Sequence, residues 1–153
     1  MTTITEILEI GLSQLREAII TRSRNEGQEA SGETYSKIRV QVDGYHGEIW
    51  APVYLYTLSI GRGPGKVPLD FPAILEKWAT YKGITFPNRS DLMRWANAVA
   101  WKIRREGTQL YRRHGEIDIF QTPIREFEQW LEKQLDVFYT SAIDEALIPE
   151  YRR

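Results

Sequence analysis

The chain contains no cysteine, which excludes disulfides, thiol nucleophiles and cysteine-ligated metals. No apolar run approaches the ~18 residues of a membrane-spanning helix, so no membrane partner is expected. The opening Met1-Thr2-Thr3-Ile4-Thr5-Glu6 lacks the basic start of a signal peptide, and cytoplasmic synthesis is the expectation. An excess of either charge is missing too. Lys and Arg number 20 against 21 Asp and Glu, so bulk charge argues neither for nucleic acid nor for an anionic surface. Histidine is scarce: His46 and His114 stand far apart, each beside a glycine in an expected loop, with no H-x-x-x-H or H-E-x-x-H spacing. No serine has a G-x-S-x-G setting. Glu116 and Asp118 read as solvated loop acids. The expectation is a protein with no catalytic residue, no metal site and no cofactor, hence not an enzyme.

What is present is one domain's worth of chain, 153 residues, with the composition of a soluble globular protein rich in tryptophan and tyrosine. Ile4, Ile7, Leu8, Leu12, Leu15 and Ile19 share one helical stripe, predicting a helix over 1–24 capped by Thr3 or Thr5. After a polar link at 25–32 the period changes. Ile38, Val40 and Val42 alternate with Lys37, Arg39 and Gln41, which predicts a strand. Asp43-Gly44 signals a hairpin turn, and Gly47–Ala51 can pair back. Pro52 either ends pairing or opens a short helix through Leu58, so 37–60 reads as strands plus an aromatic segment. Helices are predicted within 70–107. The first is opened by Phe71-Pro72 and closed at Gly83. The second is capped by Ser90, striped by Leu92, Trp95, Ala96, Val99, Ala100 and Ile103, and closed at Gly107. A short strand is expected at 117–120. Thr122-Pro123 then starts a helix over 122–147, which Pro149 stops.

Between these halves lies Gly61-Arg62-Gly63-Pro64-Gly65-Lys66, within a glycine-rich loop at 61–68. Its density of glycine and proline forbids helix or central strand. A phosphate loop fails on spacing: Ile60 stands where the first glycine belongs, and Val67 where a hydroxyl is needed. G-x-G-x-x-G fails at Lys66. Three readings remain: a rigid loop in close approach to other backbone, an intersubunit contact, or a loop lining a DNA path through Arg62 and Lys66. Charge is also segregated. From Arg89 to Arg113, seven basic residues face two acids, a net of +5; from Glu116 to Glu150, nine acids face two basic residues, a net of −7. Either two solvated faces fold against each other, or the faces serve neighbouring subunits or a polyanion, with Lys102, Arg104, Arg105, Arg112 and Arg113 as the basic patch.

The order of these segments carries a resemblance. An amphipathic helix leads to Ala30-Ser31-Gly32-Glu33-Thr34 and the strand Ser36-Lys37-Ile38-Arg39-Val40. Then come Pro52-Val53-Tyr54, the Gly61-Arg62-Gly63-Pro64-Gly65 loop and Trp78-Ala79-Thr80-Tyr81-Lys82-Gly83-Ile84. Last is Ala98-Val99-Ala100-Trp101-Lys102-Ile103-Arg104-Arg105-Glu106-Gly107-Thr108. Over residues 4–145 this resembles the neck and tail-completion proteins of tailed bacteriophages, also called minor tail or head–tail joining proteins. The acidic C-terminal helix and the tail Glu150-Tyr151-Arg152-Arg153 depart from that pattern. The resemblance implies a single α+β domain over 1–153, with a small curved antiparallel sheet of two to four strands. An N-terminal helix, two central helices and a long C-terminal helix would pack with it. It implies a virion protein made in the host cytoplasm and forming a six- or twelve-fold ring of identical copies. The ring would sit between portal or head-closure proteins and the tail, around DNA touched without sequence reading. The alternative from the residues is a small nucleic-acid-binding module.

Overall fold

Thr3 opens the first helix by a reciprocal pair of bonds. The Glu6 amide donates to its hydroxyl (3.2 Å), and its own amide donates to the Glu6 carboxylate (2.8 Å), the two halves of a capping box. This places α1 at Ile4–Asn25. The computed structural model describes residues 3–151; Met1, Thr2, Arg152 and Arg153 lie outside that span, and with them the end of the basic tail. The remaining elements are α2 (Glu33–Ser36), β1 (Arg39–Asp43), β2 (His46–Trp50), α3 (Val53–Ile60), α4 (Phe71–Tyr81), α5 (Arg89–Glu106), α6 (Gln109–Arg112) and α7 (Gln121–Tyr151). The fold is α+β, mostly helical, with a two-stranded antiparallel sheet.

Contacts group the chain into two compact units that interleave in sequence. One comprises the chain to Ser23, Lys37–Ala51 and everything from Asp118 onward; the other comprises Arg24–Ser36 and Pro52–Ile117.

In the first unit α1 supplies the core: Ile7, Leu12, Leu15, Ile19 and Ile20 are buried, joined by Ile38 and Ile119. Two glycines let other elements come close to it. A Cβ on Gly47 of β2 would stand 2.6 Å from Leu12, and a Cβ on Gly11 would stand 2.3 Å from the Trp130 ring of α7. The hairpin pairs Val40 with Ile49 and Val42 with Gly47 across a two-residue turn at Gly44 and Tyr45. Thr5 holds that turn by donating to the Gly44 carbonyl (3.0 Å), and the Arg16 Nε donates to the Ile38 carbonyl (3.0 Å).

Several local expectations are corrected here. Residues 117–120 form no strand. Asp118 instead receives the Thr122 amide (3.1 Å) and hydroxyl (2.5 Å) at the start of α7, so Asp118, not Thr122, is the capping side chain. The Arg22 Nε donates to the Asp118 carbonyl (3.0 Å) and fixes that corner. Rather than stopping at Pro149, α7 passes it. A proline removes one amide donor and crowds one carbonyl, a cost confined to a single turn. His46 is the first residue of β2 rather than a turn residue. Its Nε2 bonds to one oxygen of the Glu48 carboxylate (2.7 Å), and the Trp50 indole donates to the other (2.7 Å).

In the second unit α4 and α5 pack against each other, with Ala79, Ala96 and Ala100 buried, while Trp78 stacks on Trp95 at 6.4 Å and Phe86 tilts against Trp95 at 5.4 Å. A Schellman pair ends α4: Gly83 donates to Thr80 (3.0 Å) and Ile84 to Ala79 (2.9 Å). The cap of α5 is Asn88, not Ser90. In extended conformation, its Oδ1 accepts from the Asp91 amide (2.9 Å), and its Nδ2 donates to the Asp91 carboxylate (2.9 Å). Of the two readings of Pro52, the helical one holds, with Leu55 of α3 fully buried.

Two outcomes test this packing. Gly11→Ala gains helix propensity of up to ~1 kcal/mol, yet the added methyl meets an aromatic ring. Urea denaturation is expected to show a net loss of about 1–3 kcal/mol. Asp118→Ala tests the cap through pH. The Thr122 hydroxyl and amide hold the Asp118 carboxyl below the ordinary aspartate range, so its contribution is complete above that range and is lost as pH falls through the folded-state value. The stability gap between wild type and variant is expected to be widest near neutrality and to narrow below about pH 4. A gap constant across that range would contradict the assignment.

Candidate functional site

The glycine-rich loop is held by a joint with the end of α5. Gly61 follows α3 at φ 80°, ψ 177°; Gly107 follows α5 at φ 81°, ψ −178°. Both lie in a backbone region open only to glycine. Each first accepts its helix's exit, with the Gly61 amide donating to Thr57 (2.8 Å) and the Gly107 amide to Ile103 (2.9 Å). The two exits then bond to one another. The Thr108 amide donates to the Arg62 carbonyl (2.8 Å), the Arg62 amide donates to the Thr108 hydroxyl (2.9 Å), and the Gly65 amide donates to the Arg104 carbonyl (2.9 Å). No side chain fits between them. A Cβ on Gly107 would stand 2.6 Å from the Arg62 oxygen, and one on Gly61 would stand 2.6 Å from the Tyr111 nitrogen. Gly63 lies against the Tyr111 ring, 3.2 Å from where its Cβ would be. Close backbone approach is therefore what these glycines serve.

That geometry places the six loop residues. The Arg62 side chain does not extend outward: its guanidinium donates to the Lys66 carbonyl and lies over the Phe71 ring at 5.6 Å. Pro64, Gly65 and Lys66 are exposed.

The basic residues divide into two groups. Arg105 and Arg112 converge on Glu106 from either side, each at 3.1 Å, and Arg105 also stacks over Trp101 at 4.5 Å. Lys102, Arg104 and Arg113 are exposed and make no ion pair among the described residues. His114 takes φ 51° in the turn after α6, where it donates to Tyr111 (3.0 Å) while Gly115 donates to Leu110 (3.0 Å).

The loop joint also frames a groove of about 690 Å³ in this unit, a feature absent from the sequence-based reading. Its lining is mostly apolar, with Leu75, Trp78, Trp95 and Ile103 among it, and Arg62, Lys102 and Arg112 contribute the cationic groups. The sequence alone does not reveal it: Trp78 and Trp95 follow the helical spacing of core residues, and only the structure leaves them half-buried. Among the described residues no three His, Asp or Glu side chains gather as a metal-binding group, and no helix is long and apolar enough to cross a membrane.

No family model matches the chain, and no curated protein or solved structure matches it.

The joint has a direct test. Gly107→Ala combines a conformational penalty with overlap against backbone that cannot rotate away, and is expected to cost about 2–4 kcal/mol in denaturant unfolding. Gly65→Ala, with open space around its Cβ position, should cost less despite its positive φ of 143°. Equal penalties at the two positions would show that the joint does not set the local stability.

Proposed function

We propose that this chain is a structural protein of a tailed-phage particle, assembling as a ring in the head–tail neck around the DNA path, in a tail-completion or head–tail joining role. The observation that carries the reading is that opposite charges are carried by different helices and left unpaired among the described residues. Glu126, Glu128, Glu132, Asp136, Asp144 and Glu145 of α7 are exposed and make no ion pair among the described residues, and the same holds for Lys102, Arg104 and Arg113. A closed ring joins one face of each copy to a different face of the next, and complementary faces on one chain suit that contact. A rigid loop joint suits it as well, because a pre-ordered surface loses little freedom on docking. In this reading the chain is made in the host cytoplasm and incorporated into the virion. Portal or head-closure proteins lie on one side and tail proteins on the other, and any contact with DNA is through charge.

A second reading, a small nucleic-acid-binding module, draws on the same exposed cations and on the Arg105–Trp101 stack. Electron cryomicroscopy of tailed particles whose proteome includes the chain is expected to show it as a closed ring at the neck. Its absence from purified particles would refute the virion reading. Duplex binding at about 50 mM salt, with a salt slope that falls by roughly two in the Arg104→Glu, Arg113→Glu double variant, would favour the second reading.

A further inference from the structure

From the groove and the distal part of α7 together, we infer that the α3–α6 groove of one copy receives the 139–147 segment of α7 from a neighbouring copy. The inference rests on the assembly reading and specifies its contact.

The groove asks for an elongated apolar body carrying negative charge. It is lined by Leu75, Trp78, Trp95 and Ile103, and Lys102, also in the lining, is exposed without an ion-pair partner among the described residues. Its volume of about 690 Å³ is of the size that takes several large side chains.

The end of α7 offers such a body. Tyr139, Ile143 and Leu147 recur every four residues and are 53%, 57% and 57% exposed. At about 100° per residue they form one stripe, which Ala146 and Ala142 extend on the Tyr139 side in projection. Asp144 and Glu145 fall on opposite flanks of that stripe, and Asp136 falls on it one turn earlier. From Tyr139 to Leu147 the helix rises about 12 Å, so the stripe is compact enough to enter a single groove. An apolar helix face with anchors at four-residue spacing, laid into an apolar groove, is an established way for one protein to hold another. Here the acidic flanks of the helix would meet Lys102 of the groove lining. A groove with cations in its lining and an acid-flanked stripe on one chain form a heterologous pair, which propagates from copy to copy and closes when the rotation permits.

The absence of cysteine makes the contact directly testable. Ile74 lines the groove at 45% exposure and Ile143 is exposed on α7, so neither substitution opens a core. Full-length Ile74→Cys and Ile143→Cys proteins, mixed at about 1 mM, where even a millimolar contact is well populated, are expected to give a disulfide-linked dimer under mild oxidation. Either variant alone should give at least fivefold less. Lys102→Glu in the groove copy should lower the yield severalfold, and Glu145→Lys in the helix copy should restore it. A mixed yield no higher than that of the single variants overturns the inference. So does tryptophan quenching by dodecanoate, a small apolar anion, that occurs without the mixed dimer, because the groove would then be a small-molecule site. The two readings fail separately. A neck ring carrying both the Ile74→Cys and Ile143→Cys substitutions, seen in particles with no disulfide between neighbouring copies, discards this contact and keeps the virion reading. Linkage in the purified protein with no chain in particles does the reverse.

Discussion

Two glycines in a conformation closed to every other residue set the geometry on which the Arg24–Ser36 and Pro52–Ile117 unit depends. Gly61 and Gly107 turn the chain at the ends of α3 and α5 so that the following residues, Arg62 and Thr108, bond through backbone and hydroxyl. A side chain at either glycine would require the other strand of chain to move away, breaking the bonds that make the turn worthwhile. With the turn in place, α6 begins at once with Thr108 as its cap, and Tyr111 covers Gly63. The groove follows from that arrangement: Arg62, Gly107, Thr108 and Leu110, all at the joint, lie along its lining. The loop, whose spacing already excluded a phosphate cradle, is part of the frame, with the Gly61 and Gly65 amides aimed at carbonyls and the Arg62 amide at a threonine hydroxyl.

The other unit solves a different problem. One helix, α1, must serve a hairpin and a 31-residue helix, and it does so by close approach at Gly47 and Gly11. This support covers only part of α7. Phe127, Trp130, Leu131, Leu135 and Phe138 are half-buried, whereas every side chain from Tyr139 to Leu147 is exposed. An isolated helix is marginal in water, and its stability in proteins comes mainly from burying an apolar face. A helical segment that keeps Tyr139, Ile143 and Leu147 in solvent therefore forgoes that gain until a partner supplies it.

Much of the architecture was legible because long amphipathic patterns are strong signals. The α1 stripe, the β1–β2 alternation and the α5 stripe are each sustained long enough for local pattern and tertiary burial to agree. Legibility failed where a single side chain decided the outcome. Asn88 and Ser90 both have capping chemistry, and only the extended backbone at Asn88 selects it. Asp118 reads as a solvated acid until the fold brings Thr122 back to it. Ile117-Asp118-Ile119-Phe120 alternates as a strand does, but the Ile117 amide bonds to the Ser59 carbonyl and no strand among the described residues pairs alongside. The four-residue helices α2 and α6 are too short to show any period. For the candidate site, the sequence located the loop and the basic residues. It could not show that Arg62 folds back onto its own loop, or that Arg105 and Arg112 share Glu106, since both depend on which carbonyl or carboxylate the fold brings within reach.

The shared Glu106 limits what the basic patch can do. Five cations close in sequence suggest one positive surface, yet two of them are already held by a carboxylate and one of those also lies on a tryptophan. Their field is partly neutralised, and their side chains are fixed rather than free to follow a phosphate backbone. Lys102, Arg104 and Arg113 remain, a smaller charge than the sequence count implies. Duplex DNA recognised by charge alone needs many mobile cations acting together, because its affinity comes from counterions released at each phosphate. A protein surface carrying its own apolar anchors needs fewer, since charge there selects orientation and partner while burial supplies the affinity. Three exposed cations, one of them (Lys102) in the lining of an apolar groove, match the second requirement better than the first, and this favours the proposed contact between proteins.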